Sequence, residues 1–295
     1  MNFDDYRIVP RKVSYVESRR DVNTAVWYKG MKLEVPVICP GMHSLVSQEL
    51  INNVEMAGSA VIFPRDDYFY YSGNQEIHNV ALNKAYEHAE YYSKITNDPP
   101  LLVLELNNGY LDILHREITK IRDRFPNQII WAGAVCSIEG CELLAKAGAD
   151  AVIVGNGVGS ICETSQRTSV GLPPINTLIE CQNSPIPVIL AGGIRKIGDI
   201  ALALAFGADL VMIGSLLSRC KDTAGQGYYW GEASAKQKIK VEYIEGRELI
   251  VPISDKSSYD VVLEIKQGLQ SACSFVDAHS ILEFKENAKV VKING

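Results

Sequence analysis

A closed (β/α)8 barrel is the fold class this sequence predicts, and three observations predict it. Strand-like apolar runs alternate with helical segments eight times along the chain. The strand runs are continuous rather than alternating, which is the pattern of a parallel sheet covered on both faces. A length of 295 residues, 47% of them hydrophobic and 22% charged, suits eight such units in one domain spanning 1–295 better than an open doubly wound sheet.

Residues 1 to about 33 are polar and mixed in sign, and read as a cap or arm without chemistry. VPVIC (Val35 to Cys39) is the first strand, ended by Pro40 and Gly41. QELINNVEMAG predicts a helix stopped at Gly58, and SAVIF (Ser59 to Phe63) the second strand. A tyrosine-rich loop holding Tyr68, Tyr70 and Tyr71 reads as a satellite apolar cluster, with base stacking as the alternative. IHNVAL with NKAYEHAEYYSKI forms the third unit. LLVLEL, followed by a helix through Ile113, Ile118 and Ile121, forms the fourth; QIIWAG with CSIEGCELLAKAG is the fifth. DAVIV, a glycine loop and INTLIECQ make the sixth, PVILAGG with KIGDIALALAFGA the seventh, and DLVMIGS is the eighth strand. Residues 220–252 lapse into a polar, glycine-containing stretch too long for a routine connection, and read as a mobile flap over the site. VEYIEGRELIVP within it could pair as a small hairpin. Helices YDVVLEIKQGLQSAC and ILEFKENAK close the chain.

The net charge of −6 argues against a nucleic-acid surface, which needs a basic face. MNFDDYRIVP has no apolar core and no apolar run reaches about 18 residues, so the expectation is no secretory leader, no membrane span and a cytosolic home. Seven cysteines are widely spread, with no C-x-x-C pair and no histidine at metal-ligand spacing, which speaks against disulfide and zinc frameworks.

Chemistry concentrates in 151–174, AVIVGNGVGSICETSQRTSVGLPP. A buried strand delivers Gly155, Gly157 and Gly159, then Ser160, Cys162 and Thr164. Glycines at alternate positions let backbone N–H groups approach an anion closely. The spacing misses the last glycine of the dinucleotide fingerprint, and no Gly-Lys-Ser/Thr follows. In a barrel the chemistry lies at the carboxyl ends of the strands. Three glycine loops occupy such ends: Gly157 to Ser160, Gly192-Gly193 and Gly214-Ser215. Each could be a mere tight turn; together, with Tyr229 from the flap, they favour a phosphomonoester. Cys162 sits beside that cradle, where N–H dipoles favour the reactive thiolate, whereas Cys39 and Cys181 read as buried, inert thiols.

GVGSICET followed by RTSVGLPP, together with GDIALALAFGADLVMIGSLL, closely resembles the inosine-monophosphate dehydrogenase and GMP reductase family, from about Val35 to the last helix. The resemblance implies a cysteine nucleophile at Cys162 acting on purine C2, a catalytic threonine at Thr164, and a nucleotide 5′-phosphate on the three glycine loops. It implies substrate contacts at Gly159, Ser160, Gly192, Gly193, Gly214, Ser215, Tyr229 and Met42. It further implies cofactor contacts at Glu105, Asn107, Gly109 and Ala134, and a monovalent cation, K+, on the carbonyls around Gly155, Gly157 and Cys162. Dehydrogenases of the family carry an Arg-Tyr pair in the flap; ASAKQKIKVEYIEG lacks it and is similar to the shorter reductase flap, whose acid corresponds to Glu245. A solvated hairpin charge is the alternative for Glu245. The short loop after Pro64 leaves no CBS insert, which also fits a reductase. The implied reaction is NADPH-dependent conversion of a guanine nucleotide to the inosine nucleotide and ammonia, by a homotetramer. NAD-dependent oxidation and a non-catalytic nucleotide-binding homologue are the alternatives.

Several positions depart from the family pattern. Ala191 replaces the aspartate that grips the ribose diol, which points to dGMP or another deoxy-purine nucleotide. Glu105 stands for an aspartate, Ala134 for an asparagine, and Met42-His43 for Met-Asp. Phe63 takes the place of a basic residue, with Arg65 close by. His43 is either a substrate contact or a hydrogen-bonded structural residue. Glu163 between the thiol and the threonine is expected to point outward.

Overall fold

The computed structural model describes residues 1–29, 31–65, 67–236 and 243–293. Eight parallel strands close into a barrel in chain order: β1 (Val37–Cys39), β2 (Ala60–Phe63), β3 (Ile77–Asn79), β4 (Leu101–Glu105), β5 (Ile130–Val135), β6 (Ala151–Val154), β7 (Val188–Ala191) and β8 (Leu210–Met212). Pairing of Val37 with Val211 closes the ring. The continuous apolar runs follow from the two buried faces of each strand. Ile38, Ala60, Ile62, Ile77, Val103, Trp131, Ile153 and Ile189 fill the interior. Val37, Cys39, Val61, Phe63, Leu102, Leu104 and Val152 face the helical layer. With period two, one buried set fills the bore and the other binds the helices, which keeps most strand positions apolar; His78 and Asn79 of β3 and Glu105 at the end of β4 are the polar positions among them that bear on the site.

The outer layer comprises α1 (Gln48–Met56), α2 (Ala85–Ile95), α3 (Asp112–Arg124), α4 (Ile138–Ala147), α5 (Pro174–Cys181), α6 (Ile197–Ala205) and α7 (Ser258–Phe275). Their ends carry the expected caps. The Ser47 hydroxyl accepts the Leu50 N–H at 3.0 Å, Ser257 and Asp260 form a capping box on α7, and Gly148 ends α4 at φ +108°. The predicted alternation fails in one unit. Between β2 and β3 the described residues hold only a 3₁₀ turn, Tyr68–Tyr70. Tyr68 packs inward and stacks on His78 at 4.6 Å, whereas Phe69 and Tyr70 face outward.

The amino-terminal segment does structural work. A hairpin of Val26–Tyr28 and Met31–Leu33 plugs the amino end of the barrel, with Tyr28 edge-on to Trp131 at 6.1 Å. Tyr6–Val9 pairs antiparallel with Lys289–Lys292. Within 220–252, Tyr228–Trp230 pairs antiparallel with Glu248–Ile250. That strand thus pairs with the start of the segment; residues 237–242 of the expected flap, including Val241 and Glu242 of the VEYIEGRELIVP hairpin expectation, lie outside the described residues. No described helix is long and apolar enough to cross a membrane.

Candidate active site

The strand ends and the described residues of the 220–252 segment line a half-open cleft of about 220 Å³ at the carboxyl mouth of the barrel. Every sequence-predicted site residue lines it except Gly109. The Gly109 N–H donates to the Ala134 carbonyl at 2.9 Å, and a side chain there would meet that oxygen at 2.7 Å. Gly109 thus makes a close backbone approach to the end of β5.

The three glycine loops converge. Ser215 Oγ donates to Ser160 Oγ at 3.1 Å, joining the loops after β8 and β6. A Cβ on Gly192 would lie 2.9 Å from the Gly159 nitrogen, and one on Gly155 would lie 2.3 Å from the Ala191 carbonyl oxygen. The backbones after β6 and β7 thus touch where only glycine fits, and both glycines have positive φ, +91° and +120°. Tyr229 reaches in from the cover, its hydroxyl 2.8 Å from the Cβ position of Gly214. Burial pushes that phenol up to about 12, against a lowering hydrogen bond with Ser160, so it stays a neutral donor. A concave array of hydroxyls and backbone N–H groups of this kind suits an anion. Arg195, unforeseen from the sequence, adds a cation to the lining.

Beside this cradle stands the thiol. The segment Glu245–Gly246–Arg247 lies across the cysteine loop as a short antiparallel bridge: Gly246 pairs with Cys162, Glu163 N–H donates to the Glu245 carbonyl at 2.7 Å, and Arg247 N–H to the Ile161 carbonyl at 3.0 Å. Arg247 Nε holds the Ser160 carbonyl at 2.7 Å. This backbone clamp delivers the Glu245 carboxylate to Thr164, whose Oγ1 donates to Glu245 Oε2 at 2.8 Å. Cys162 Sγ in turn donates to Thr164 Oγ1 at 3.4 Å. A nucleophile, a hydroxyl and a carboxylate form one hydrogen-bonded chain. Glu163 takes no part: Arg167 holds its carboxylate at 2.7 Å, and it is not among the lining residues. Cys39 and Cys181 are fully buried, and burial pushes the Cys39 thiol up.

The opposite wall is polar and incompletely satisfied. Arg65 Nη2 donates to the Glu105 carbonyl at 2.5 Å, and Asn156 Nδ2 to the Asn107 carbonyl at 2.7 Å. Arg65 Nε, Asn156 Oδ1 and Asn79 Oδ1 are buried without partners in residues that line the cleft. Desolvation raises the Glu105 carboxyl, opposed by Arg65 and reinforced by Glu232. Buried orphan donors and acceptors call for a polar ligand, and a carboxamide-bearing ring such as nicotinamide fits this wall. Asn79 and Asn156 were missed from sequence, although each ends or interrupts a strand-to-loop transition. The proposed cation ligands fit less well, since the Gly157 carbonyl already accepts Ser165 Oγ at 2.5 Å. No group of three or more His, Cys, Asp or Glu residues that could hold a metal occurs among the described residues.

His43 is not in the lining. Its Nδ1 meets both carboxylate oxygens of Glu232 at 3.0 Å, and its Nε2 meets Asp67 Oδ2 at 2.9 Å. The bond to Glu232 chiefly raises the imidazole above its ordinary value, against burial and with help from Asp67.

Known proteins resemble this chain in sequence. The chain is 29% identical to a GMP reductase of Lactobacillus acidophilus, over 96% of this chain and 92% of the relative. A GMP reductase of Staphylococcus epidermidis is 30% identical over 93% and 90%, and one of Ligilactobacillus salivarius 29% over 99% and 96%. A match to the IMP dehydrogenase / GMP reductase domain spans residues 80–295, from just past β3 through the thiol loop and the cover, so the chain belongs to that family.

Proposed function

We propose that this protein is an NADPH-dependent reductase that deaminates a guanine nucleotide at C2, giving the inosine nucleotide and ammonia. The observation that carries the reading is the Cys162–Thr164–Glu245 chain beside a phosphate cradle. Reductase relatives over nearly the whole chain support it. The phosphate is gripped by Ser160, Ser215, Tyr229 and the backbone of Gly192, Gly193 and Gly214, which presents the purine to the thiol. Cys162, as thiolate, adds to C2. Glu245, through Thr164, gives its proton to the exocyclic amine, which leaves as ammonia while sulfur stays bonded to C2. When bound, NADPH supplies the hydride that ends at C2. Glu105, Asn107 and Ala134, with Arg65 and Asn156, would hold it; the thiolate is then expelled and Glu245 is ready to be reprotonated. No step rests on a monovalent cation. Residues 220–252 act as the cover that carries Glu245, and a homotetramer in the cytosol belongs to the same reading.

Ala191 bears on the sugar. It lines the cleft at the end of β7 with a methyl group, where a carboxylate would face the ribose diol. Hydrogen bonds to a charged group contribute about 1.5–3 kcal/mol, so a ribonucleotide gains nothing here over a deoxyribonucleotide. In steady-state assays following NADPH absorbance, kcat/KM for dGMP is expected to equal or exceed that for GMP. Ala191→Asp should move the ratio toward GMP by about tenfold or more. A clear preference of the unaltered protein for GMP would discard the deoxynucleotide assignment while leaving the reductase reading in place.

A further inference from the structure

We propose that Glu232 selects the purine base, taking the adjacent N–H donors of a 2-amino-6-oxopurine on its carboxylate, and that His43 and Asp67 are positioning residues that hold that carboxylate in place. The inference rests on the reductase reading and adds a recognition site to it.

The backbone puts Glu232 next to the chemistry. On one side Gly231 abuts the thiol loop: its Cβ position lies 3.2 Å from Ile161 Cδ1. On the other, the Ala233 carbonyl accepts the N–H of Gly246 at 3.1 Å, and Gly246 is bridged to Cys162. Glu232 thus occupies the strip of cover lying over the nucleophile, and it lines the cleft. A group on this strip is placed to read the base near C2.

His43 holds the Glu232 side chain through two groups. The His43 backbone N–H donates to Oε1 at 3.0 Å, and His43 Nδ1 lies 3.0 Å from both oxygens. The far nitrogen of the same ring is anchored on Asp67 Oδ2 at 2.9 Å. The loop after β1, the loop after β2 and the cover are therefore joined through one imidazole flanked by two carboxylates, an arrangement that favours the imidazolium, with both ring nitrogens donating. A carboxylate fixed in this way pays little ordering entropy when a ligand arrives.

The chemistry of the acceptor then decides which base it admits. A carboxylate only accepts, so a base that meets it must present donors. A 2-amino-6-oxopurine presents N1–H and the 2-amine side by side. Adenine presents an acceptor at N1, which would face the carboxylate lone pairs and be rejected. Hypoxanthine, the product base, keeps N1–H but has lost the amine. The site therefore favours substrate over product, which also assists release.

The test is calorimetric binding of GMP, IMP and AMP, with GMP turnover, for the unaltered protein, Glu232→Gln and Asp67→Asn. The unaltered protein should bind GMP more tightly than IMP and hold AMP weakest. Glu232→Gln should weaken GMP about tenfold and IMP less, narrowing the ratio between them. Asp67→Asn, which leaves Glu232 intact, should narrow it in the same direction, which a purely structural role for Asp67 would not. Equal weakening of GMP and IMP, or none, in both variants overturns the proposal while the reductase reading stands. An unaltered protein that binds no purine nucleotide overturns both.

Discussion

Cys162→Ala abolishes turnover and leaves nucleotide binding within about twofold: this is the expected result if the sulfur carries the purine. Without a nucleophile the exocyclic amine has no covalent route out, and alanine offers no substitute, so kcat should fall by at least about 10³-fold. Binding should survive because the phosphate grip comes from other loops. The Ser215–Ser160 bond and the abutting Gly192 and Gly159 backbones do not involve the sulfur. Cys162 also fixes its loop through its backbone, which the substitution keeps: its N–H donates to the Gly159 carbonyl at 3.1 Å, and its bridge to Gly246 is main chain. Glu245→Gln should act on the same step from the other end of the chain. It preserves the acceptor for Thr164 Oγ1 but cannot supply a proton, so kcat should fall about 10²–10⁴-fold with GMP affinity retained. Calorimetry with GMP and NADPH absorbance read both halves of the expectation. Comparable turnover in Cys162→Ala would remove the covalent mechanism. A harmless Glu245→Gln would mean that another donor protonates the amine.

How much of this was legible in the sequence follows from which interactions are local. The eight strands could be read because a strand buried on both faces needs an unbroken apolar run, as in AVIV of β6 and LLVL of β4. The glycine loops could be read because close backbone approach excludes side chains, and the Gly155 and Gly192 positions show that constraint directly. Other features depend on partners far away in the chain. Glu245 reaches Thr164 only because EGR lies across the cysteine loop, a pairing across 81 positions that no local pattern encodes. Glu232 looked like one more charge in a polar stretch until His43 was found on it, 189 positions away. The turn after β2 depends on distant partners too: Tyr68 stacks on His78 and meets His88 edge-on at 5.0 Å. Gly109 lies close to the Ala134 carbonyl, a backbone approach that a glycine at a loop signals without saying to what.

The second large effect is acid lability, and it is expected from a histidine pair behind the cleft. His78 Nδ1 and His88 Nε2 are 3.0 Å apart, both residues buried, walled by Tyr68, Tyr92 and Phe63. Glu76 approaches His78 Nε2 only at 3.7 Å. Desolvation, reinforced at His78 by its neighbour, pushes His78 down to about 3, and burial pushes His88 down to about 4. Both imidazoles are thus neutral in the fold at pH values where the unfolded chain, with an ordinary value near 6.5, is protonated. The sign follows: the contribution of the pair is fully present above about pH 6.5 and is lost as the pH falls from there toward the depressed values. At pH 4.5 each histidine costs about 2–3 kcal/mol, so the two together remove a large part of the ~5–15 kcal/mol that holds an ordinary domain folded. His78 directly precedes Asn79, whose unpartnered amide oxygen belongs to a residue of the cleft wall, so loosening here reaches the site. Denaturant titrations of the unaltered protein between pH 7 and 4.5 should show stability falling steeply. His88→Leu should be less stable at pH 7, having lost the bond to His78. Its stability should nevertheless fall less steeply with acid, by about 1.4 kcal/mol per pH unit, the value of one proton no longer taken up on unfolding. Parallel curves for the two proteins would show that the pair is not what acid attacks, and would move the cause to the carboxylates of the cleft.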